Sequence, residues 1–159
     1  MSVTFRRAVA DDVPQVYLML VALAAHDGGE VAGGPESLLR HGFRVEPKFR
    51  IILAEEDGAL LGLVLFFPEY SSWRGQTGAY IQDLYVAEAA RGQGLGRALL
   101  AEVARAALDW QASFITLMVQ RGNRIGQGFY AAQGFEMRGD SDWLVLEGEA
   151  WRQMTALSV

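Results

Sequence analysis

The run Arg91-Gly92-Gln93-Gly94-Leu95-Gly96 constrains this chain more than any other stretch. It follows the apolar segment Tyr80-Ile81-Gln82-Asp83-Leu84-Tyr85-Val86 and leads into Arg97-Ala98-Leu99-Leu100-Ala101-Glu102-Val103. That order reads as a strand, a short link, then a glycine-rich turn opening a long helix over 95–109. Leu95, Leu99, Leu100, Val103, Ala106 and Ala107 form the helix's apolar stripe. A helix start leaves backbone N–H groups unpaired and carries partial positive charge. Glycines there remove the Cβ atoms that would keep a phosphate from the backbone. Arg91 and Arg97 flank the turn and can add charge-assisted hydrogen bonds. The stretch reads as a phosphate cradle for a large anionic ligand; a glycine-rich surface turn beside solvated arginines is the plainer alternative.

The chain around it fits one domain over 1–159. Of its 159 residues, 51% are hydrophobic, enough for a core without disulfides or structural metals. Cysteine is absent, which excludes disulfides, cysteine-ligated zinc or iron–sulfur centres and a thiol nucleophile, and fits a cytoplasmic protein. A formal charge of −5 argues against a nucleic-acid partner and suits a cationic small molecule. No membrane span is expected, because the apolar run over 60–67 is only strand-sized. The N-terminal residues show no signal-peptide pattern. His26 and His41 are the only histidines, and no metal-ligand constellation is present.

A first strand is expected over 3–9, then a helix capped by Asp11 or Asp12 and carrying Val13, Val16, Tyr17, Leu20, Val21 and Ala24 at three-to-four spacing. Residues 27–35 are glycine-rich, include Asp27 and Glu30, and read as a loop suited to substrate contacts. A second helix is expected over 36–42. Glu56-Asp57-Gly58 between apolar runs marks a hairpin joining 50–55 to 60–67. Residues 68–78 read as a connection. A strand over 114–119, reached by a helical crossover, should lie parallel to the 80–86 strand. A helix over 124–133 ends at Gly134-Phe135, a last strand is expected at 143–146, and 151–159 reads as a loose tail.

These residues together resemble the GNAT superfamily of N-acetyltransferases. The likeness runs from Phe5-Arg6-Arg7-Ala8 through Leu84-Tyr85-Val86 and Arg91–Gly96 to Asn123 and Gly128-Phe129-Tyr130-Ala131-Ala132-Gln133-Gly134-Phe135. Within it, Trp73-Arg74-Gly75 and the 81–86 segment look most like diamine and thialysine acetyltransferases. The resemblance implies an α/β (α+β) fold, a mixed sheet of six to seven strands with about four helices. It also implies acetyl-coenzyme A as donor, a primary amine on a small molecule as acceptor, and a homodimer. Two acidic positions of those relatives are absent here, replaced by Ser71 and Gln82; Asp83 keeps one.

The same resemblance assigns roles. Gly92, Gln93, Gly94, Leu95 and Gly96, with Arg91 and Arg97, would take the pyrophosphate. The backbone of Leu84, Tyr85 and Val86, with Asn123, would take the pantetheine arm. Asn123 can equally serve as a helix N-cap. Acyl transfer from a thioester to an amine needs a neutral amine, a stabilised oxyanion and a proton for the leaving thiolate. Tyr130 matches the family's proton donor, though a half-buried helix tyrosine is the bland reading. For the base, Gln82 cannot accept a proton usefully, leaving Asp83, Glu55, Glu69 or a water chain. Asp27, Ser71, Trp73, Gln82 and Asp83 are the substrate-side candidates, with aromatics Tyr70, Trp73, Tyr80 and Tyr85 near them. Other acceptors, namely a protein N-terminus or an antibiotic amine, stay open, as does a non-catalytic coenzyme A sensor.

Overall fold

The computed structural model describes residues 3–139, 144 and 146–156. The chain falls into two compact units, Met1–Gln120 and Arg121–Val159. The first contains β1 (Thr4–Arg7), α1 (Val13–His26), α2 (Pro35–Gly42), β2 (Arg50–Glu56), β3 (Ala59–Ser71), β4 (Gln76–Val86), α3 (Leu95–Ala107) and β5 (Ile115–Leu117). The second contains α4 (Arg124–Ala132) and α5 (Gly148–Thr155).

One sheet runs in the order β1-β2-β3-β4-β5. All neighbours are antiparallel except β4 and β5, which the α3 crossover makes parallel as expected. Asp57 (φ 51°) and Gly58 (φ 80°) both take left-handed backbone between β2 and β3, the turn whose twist matches a two-residue hairpin. Among the described residues the sheet has five strands rather than six or seven, with five α-helices rather than about four. The strand expected at 143–146 falls on positions 143 and 145, which lie outside the described residues.

Alternation along the strands divides the core. Ile51, Leu53, Leu63 and Leu65 face α1 and pack with Val16 and Leu20. The intervening Ile52, Val64 and Phe66 face the side covered by α3, where Leu99 and Val103 are fully buried. Each such leucine or phenylalanine contributes about 1.5–3 kcal/mol by burial. At the N-terminal edge Arg6 binds Asp12 through two nitrogens, at 2.7 and 2.9 Å, and Glu55 at 2.8 Å, tying β1 to β2 and to the entry of α1.

Three expectations are corrected. Asp12 stands at the N-cap of α1, but its carboxylate accepts the Val9 N–H at 2.7 Å and the Arg6 pair instead of capping the helix. Residues 68–78 are mostly paired strand: Pro68 opposes Ala79 and Ser71 opposes Gln76, so the β3–β4 hairpin is long. Pro68 is tolerated because β2 begins at Arg50 opposite Phe66, leaving β3 beyond that point as an edge. Trp151 and Met154 belong to the exposed helix α5, not to a loose tail.

Candidate active site

β4 ends at Val86, and one 3-10 turn, Glu88–Ala90, leads to the glycine run. Gly92 (φ 77°) and Gly94 (φ 79°) are left-handed, a conformation that a side chain makes costly by roughly 1–2 kcal/mol. A Cβ built on either glycine would meet nothing within 4 Å, so open space lies over the turn. Ala98 N–H donates to Gly94 O at 3.0 Å as the first bond of α3. The amides of Leu95, Gly96 and Arg97 come before it and have no intrahelical acceptor. Gln93 Nε2 donates to Ala89 O at 3.2 Å and Arg91 Nε to Val86 O at 3.0 Å, which hold the turn against the end of β4. Arg97 is exposed. This cradle suits a phosphate ester.

The strand feeding it is open on one side. β5 pairs with β4 only at Ala79, Tyr80 and Ile81, so from Gln82 onward no described strand covers that edge of β4. On the other side Ala87 N–H donates to Leu61 O at 2.8 Å. Antiparallel alternation therefore turns the N–H and C=O of Leu84 and Val86 away from β3, while those of Tyr85 face it. Val86 O receives the Arg91 bond on that open side. An amide-bearing arm can add to such an edge as another strand would.

At the point of divergence the ladder slips. Leu65 opposes Asp83 and Phe66 opposes Ile81, so Gln82 is one residue more than β3 supplies. Without this bulge Asp83 would share the α3-facing side of Ile81. With it, Asp83 and Tyr85 share the α1-facing side with Leu65 and Leu63. The insertion thus moves one carboxylate through the sheet to the opposite face.

There Asp83 lines a cleft of about 300 Å³ with Leu20, Leu23, Ala24, Asp27, Glu30 and Val31. The Asp83 carboxyl is pushed up to about 6, first by burial and then by the negative charge of Asp27. A half-buried carboxylate beside two more acids favours a bound cation. An organic cation matches this combination of acids and apolar wall. Apolar walls from α1 suit its carbon chain.

Of the substrate-side candidates, Asp27 and Asp83 meet in this cleft. Gln82 is exposed on the bulge. Ser71 and Trp73 stand at the far end of the β3–β4 hairpin and do not line the cleft. Ser71 Oγ accepts the Arg74 N–H at 3.3 Å, and Trp73 is fully exposed. Glu30, a charge of the 27–35 loop expected to make substrate contacts but not itself among the candidates, joins Asp27 and Asp83 in the cleft. The available signal was its position three residues after Asp27, just beyond the C-terminal end of α1.

In the second unit, Asn123 Oδ1 accepts the Gly126 N–H at 2.8 Å and caps α4. Gly134 (φ 90°) closes that helix, with Phe135 N–H bonding Tyr130 O at 3.1 Å and Gly134 N–H bonding Ala131 O at 3.0 Å. Tyr130 is half-buried, its ring edge-on to Phe135 at 5.5 Å.

The fold, the helix-start cradle and the open edge of β4 define an acyl-transfer protein of the GNAT class. The acetyltransferase (GNAT) family model matches residues 17–135, and the chain belongs to that family of acetyltransferase enzymes. It is 30% identical to thialysine N-epsilon-acetyltransferase of Sus scrofa over 166 residues, covering 96% of this chain and 97% of that one. It is 28% identical to the Bos taurus protein of the same name over 165 residues, with 96% of each chain covered. Among solved structures, an integron cassette protein from the mobile metagenome of V. cholerae superposes with a TM-score of 0.81 at 20% identity, covering 99% of both chains.

Proposed function

We propose that the chain, acting over 1–159 as one domain, acetylates a primary amine of a small molecule with acetyl-coenzyme A as donor. The observation that carries this reading is Asp83, turned by a bulge into an acidic, apolar-walled cleft at the point where β4 opens. The relatives named for thialysine support an amine acceptor with a cationic, aliphatic character.

Bound acetyl-coenzyme A supplies an activated thioester. The amides opening α3, with Arg91 and Arg97, would hold its pyrophosphate, and the backbone of Leu84 and Val86 its amide arm, a contact the family resemblance also assigns to Asn123. Asp27 and Glu30 draw the acceptor ammonium into the cleft. Asp83, ionised at neutral pH, accepts a proton from it. An amine near 10.4 and a carboxyl near 6 leave a gap of about 4 pKa units, roughly 6 kcal/mol. That is affordable within the barrier of roughly 16 kcal/mol for a turnover of about 10 per second. Tyr130 is assigned, by family resemblance, the proton for the departing thiolate. A cytoplasmic homodimer completes the reading, on the resemblance and the lack of cysteine.

A panel of primary amines incubated with acetyl-coenzyme A, followed by thiol release, tests it. Turnover on small aliphatic amines is expected. Tight donor binding with no thiol release on any amine would overturn the enzymatic assignment in favour of a sensor.

A further inference from the structure

A second cavity, of about 190 Å³, lies at the end of β1, with Arg7, Arg50, Gly42, Phe43, Pro47 and Phe49 in its lining. Packing fixes its walls. A Cβ on Gly42 would fall 2.4 Å from the Phe49 ring, so glycine there lets the ring lie against the end of α2. Lys48 N–H donates to His41 O at 2.7 Å and pins the intervening loop to the same end. That bond also occupies a terminal carbonyl of α2, which would otherwise repel an anion. Phe43 and Phe49 pack on the α1-facing core cluster. Arg7 and Arg50 belong to the other face, because Arg7 opposes Ile52 and Arg50 lies two residues from Ile52 along β2. The cavity therefore bends round the end of β1, apolar on one side and basic on the other.

The two arginines are diagonal neighbours across the strands, roughly 7–8 Å apart at their Cα atoms. The Arg50 guanidinium sits 4.4 Å from the centre of the Trp110 ring and gives one nitrogen to Asp109 at 3.0 Å. A guanidinium carries five N–H donors, so that bond leaves others for a ligand. Arg6 uses three nitrogens on carboxylates, whereas the Arg7 guanidinium has no hydrogen-bond or ion-pair partner among the described residues. The surroundings add to the field. Arg40, Arg44, Lys48 and Arg50 fall within 40–50 against one acid, Glu46, in a chain of net charge −5.

We infer that this cavity binds a small organic carboxylate, its charge between Arg7 and Arg50 and its apolar body against Phe43 and Phe49. A planar carboxylate accepts paired bonds from guanidinium groups, and the two rings supply the apolar contact. Clefts for drug-sized ligands run to about 300–1,000 Å³, so this one selects a ligand on the order of ten heavy atoms. The site shares no residue with the Asp83 cleft and is opposite to it in sign. It stands whether or not the amine-acetyltransferase reading does.

Calorimetric titration of the full chain with benzoate, benzamide and inorganic phosphate tests it. Saturable benzoate binding with a Kd of about 0.1–1 mM is expected. Benzamide keeps the ring without the charge, and phosphate keeps a charge without the ring; each should bind at least about tenfold more weakly. Arg7→Gln should weaken benzoate about tenfold, while Arg44→Gln, which alters a neighbouring charge outside the cavity lining, should change it less than about twofold. Asp109→Asn, which frees Arg50 from a competing carboxylate, should tighten benzoate a few-fold. Arg7, Arg44 and Asp109 are all exposed, and unchanged melting temperatures would verify that the variants fold. Absence of saturable benzoate binding, equal binding of benzamide or of phosphate, or equal effects of Arg7→Gln and Arg44→Gln would overturn the inference.

Discussion

The glycine turn at the start of α3 and the acidic cleft beneath the β4 bulge are built by opposite means. At the turn, the groups offered to the proposed donor are mostly backbone amides, and the residues matter because Gly92 and Gly94 permit left-handed φ. In the cleft, the acidic groups are three side chains from two places, Asp27 and Glu30 after α1 and Asp83 on β4. A backbone site demands a fixed local sequence but suits any ligand with the same phosphate. A side-chain site tolerates many sequences, and each alters the ligand it accepts. One family can therefore keep its donor and vary its acceptor, and the two regions should respond to mutation in separable ways.

The sharpest separation comes from Asp83→Asn. General-base removal costs typically 10²–10⁴ in rate, so a fall in kcat of about 100-fold or more is expected with donor affinity unchanged in direct binding measurements. A comparable loss of donor binding would join the two regions and break the contrast. Gly94→Val should do the reverse. A branched side chain at φ 79° strains the N-cap of α3; the donor KM should rise about tenfold, with the acceptor KM within about twofold in bisubstrate kinetics.

A smaller effect sharpens the electrostatics of the cleft. Activity requiring ionised Asp83 should fall below about pH 6, with the acid limb of kcat/KM reporting that group. Asp27 is a like charge that raises Asp83, so Asp27→Asn should move the limb to lower pH. The same change should weaken the acceptor KM a few-fold, because one attracting charge is lost. An unmoved limb would mean that Asp27 does not act on the titrating group.

What could be read from residues alone follows the same division. The amphipathic period of α1 and α3, the Asp57-Gly58 hairpin and the parallel β5 all arise from local chemistry, and the glycine turn announces itself within six residues. The bulge does not. Strict alternation along 79–86 puts Ile81 and Asp83 on one face, and only pairing with β3 reveals that Gln82 is supernumerary. The meeting of Asp27 with Asp83 is a contact across 56 positions that no spacing rule encodes. The long β3–β4 hairpin was hidden by Pro68, which signals a break unless the edge left by β2 is known. Glu69 was visible as an acid in this stretch, but its bond to Thr116 depends on three strands being in register.

Asp83 also predicts a conflict between stability and function. Its folded carboxyl titrates near 6, above the ordinary 3.8. Between those values the folded chain binds more protons at this site than the unfolded one. The free energy of unfolding contributed by this group therefore falls as pH rises through that window, and stays low above it. Asp83→Asn removes the charge whose burial causes the loss. The variant should melt about 2–4 °C higher than the unaltered protein at pH 7.5, and the gap should close as pH falls toward 4. Its catalysis would be lost under the same conditions in which it is most stabilised. Equal melting temperatures across the whole pH range would mean that the cleft does not strain its carboxylate, and would remove the physical reason for singling out Asp83 among the acids of the sheet.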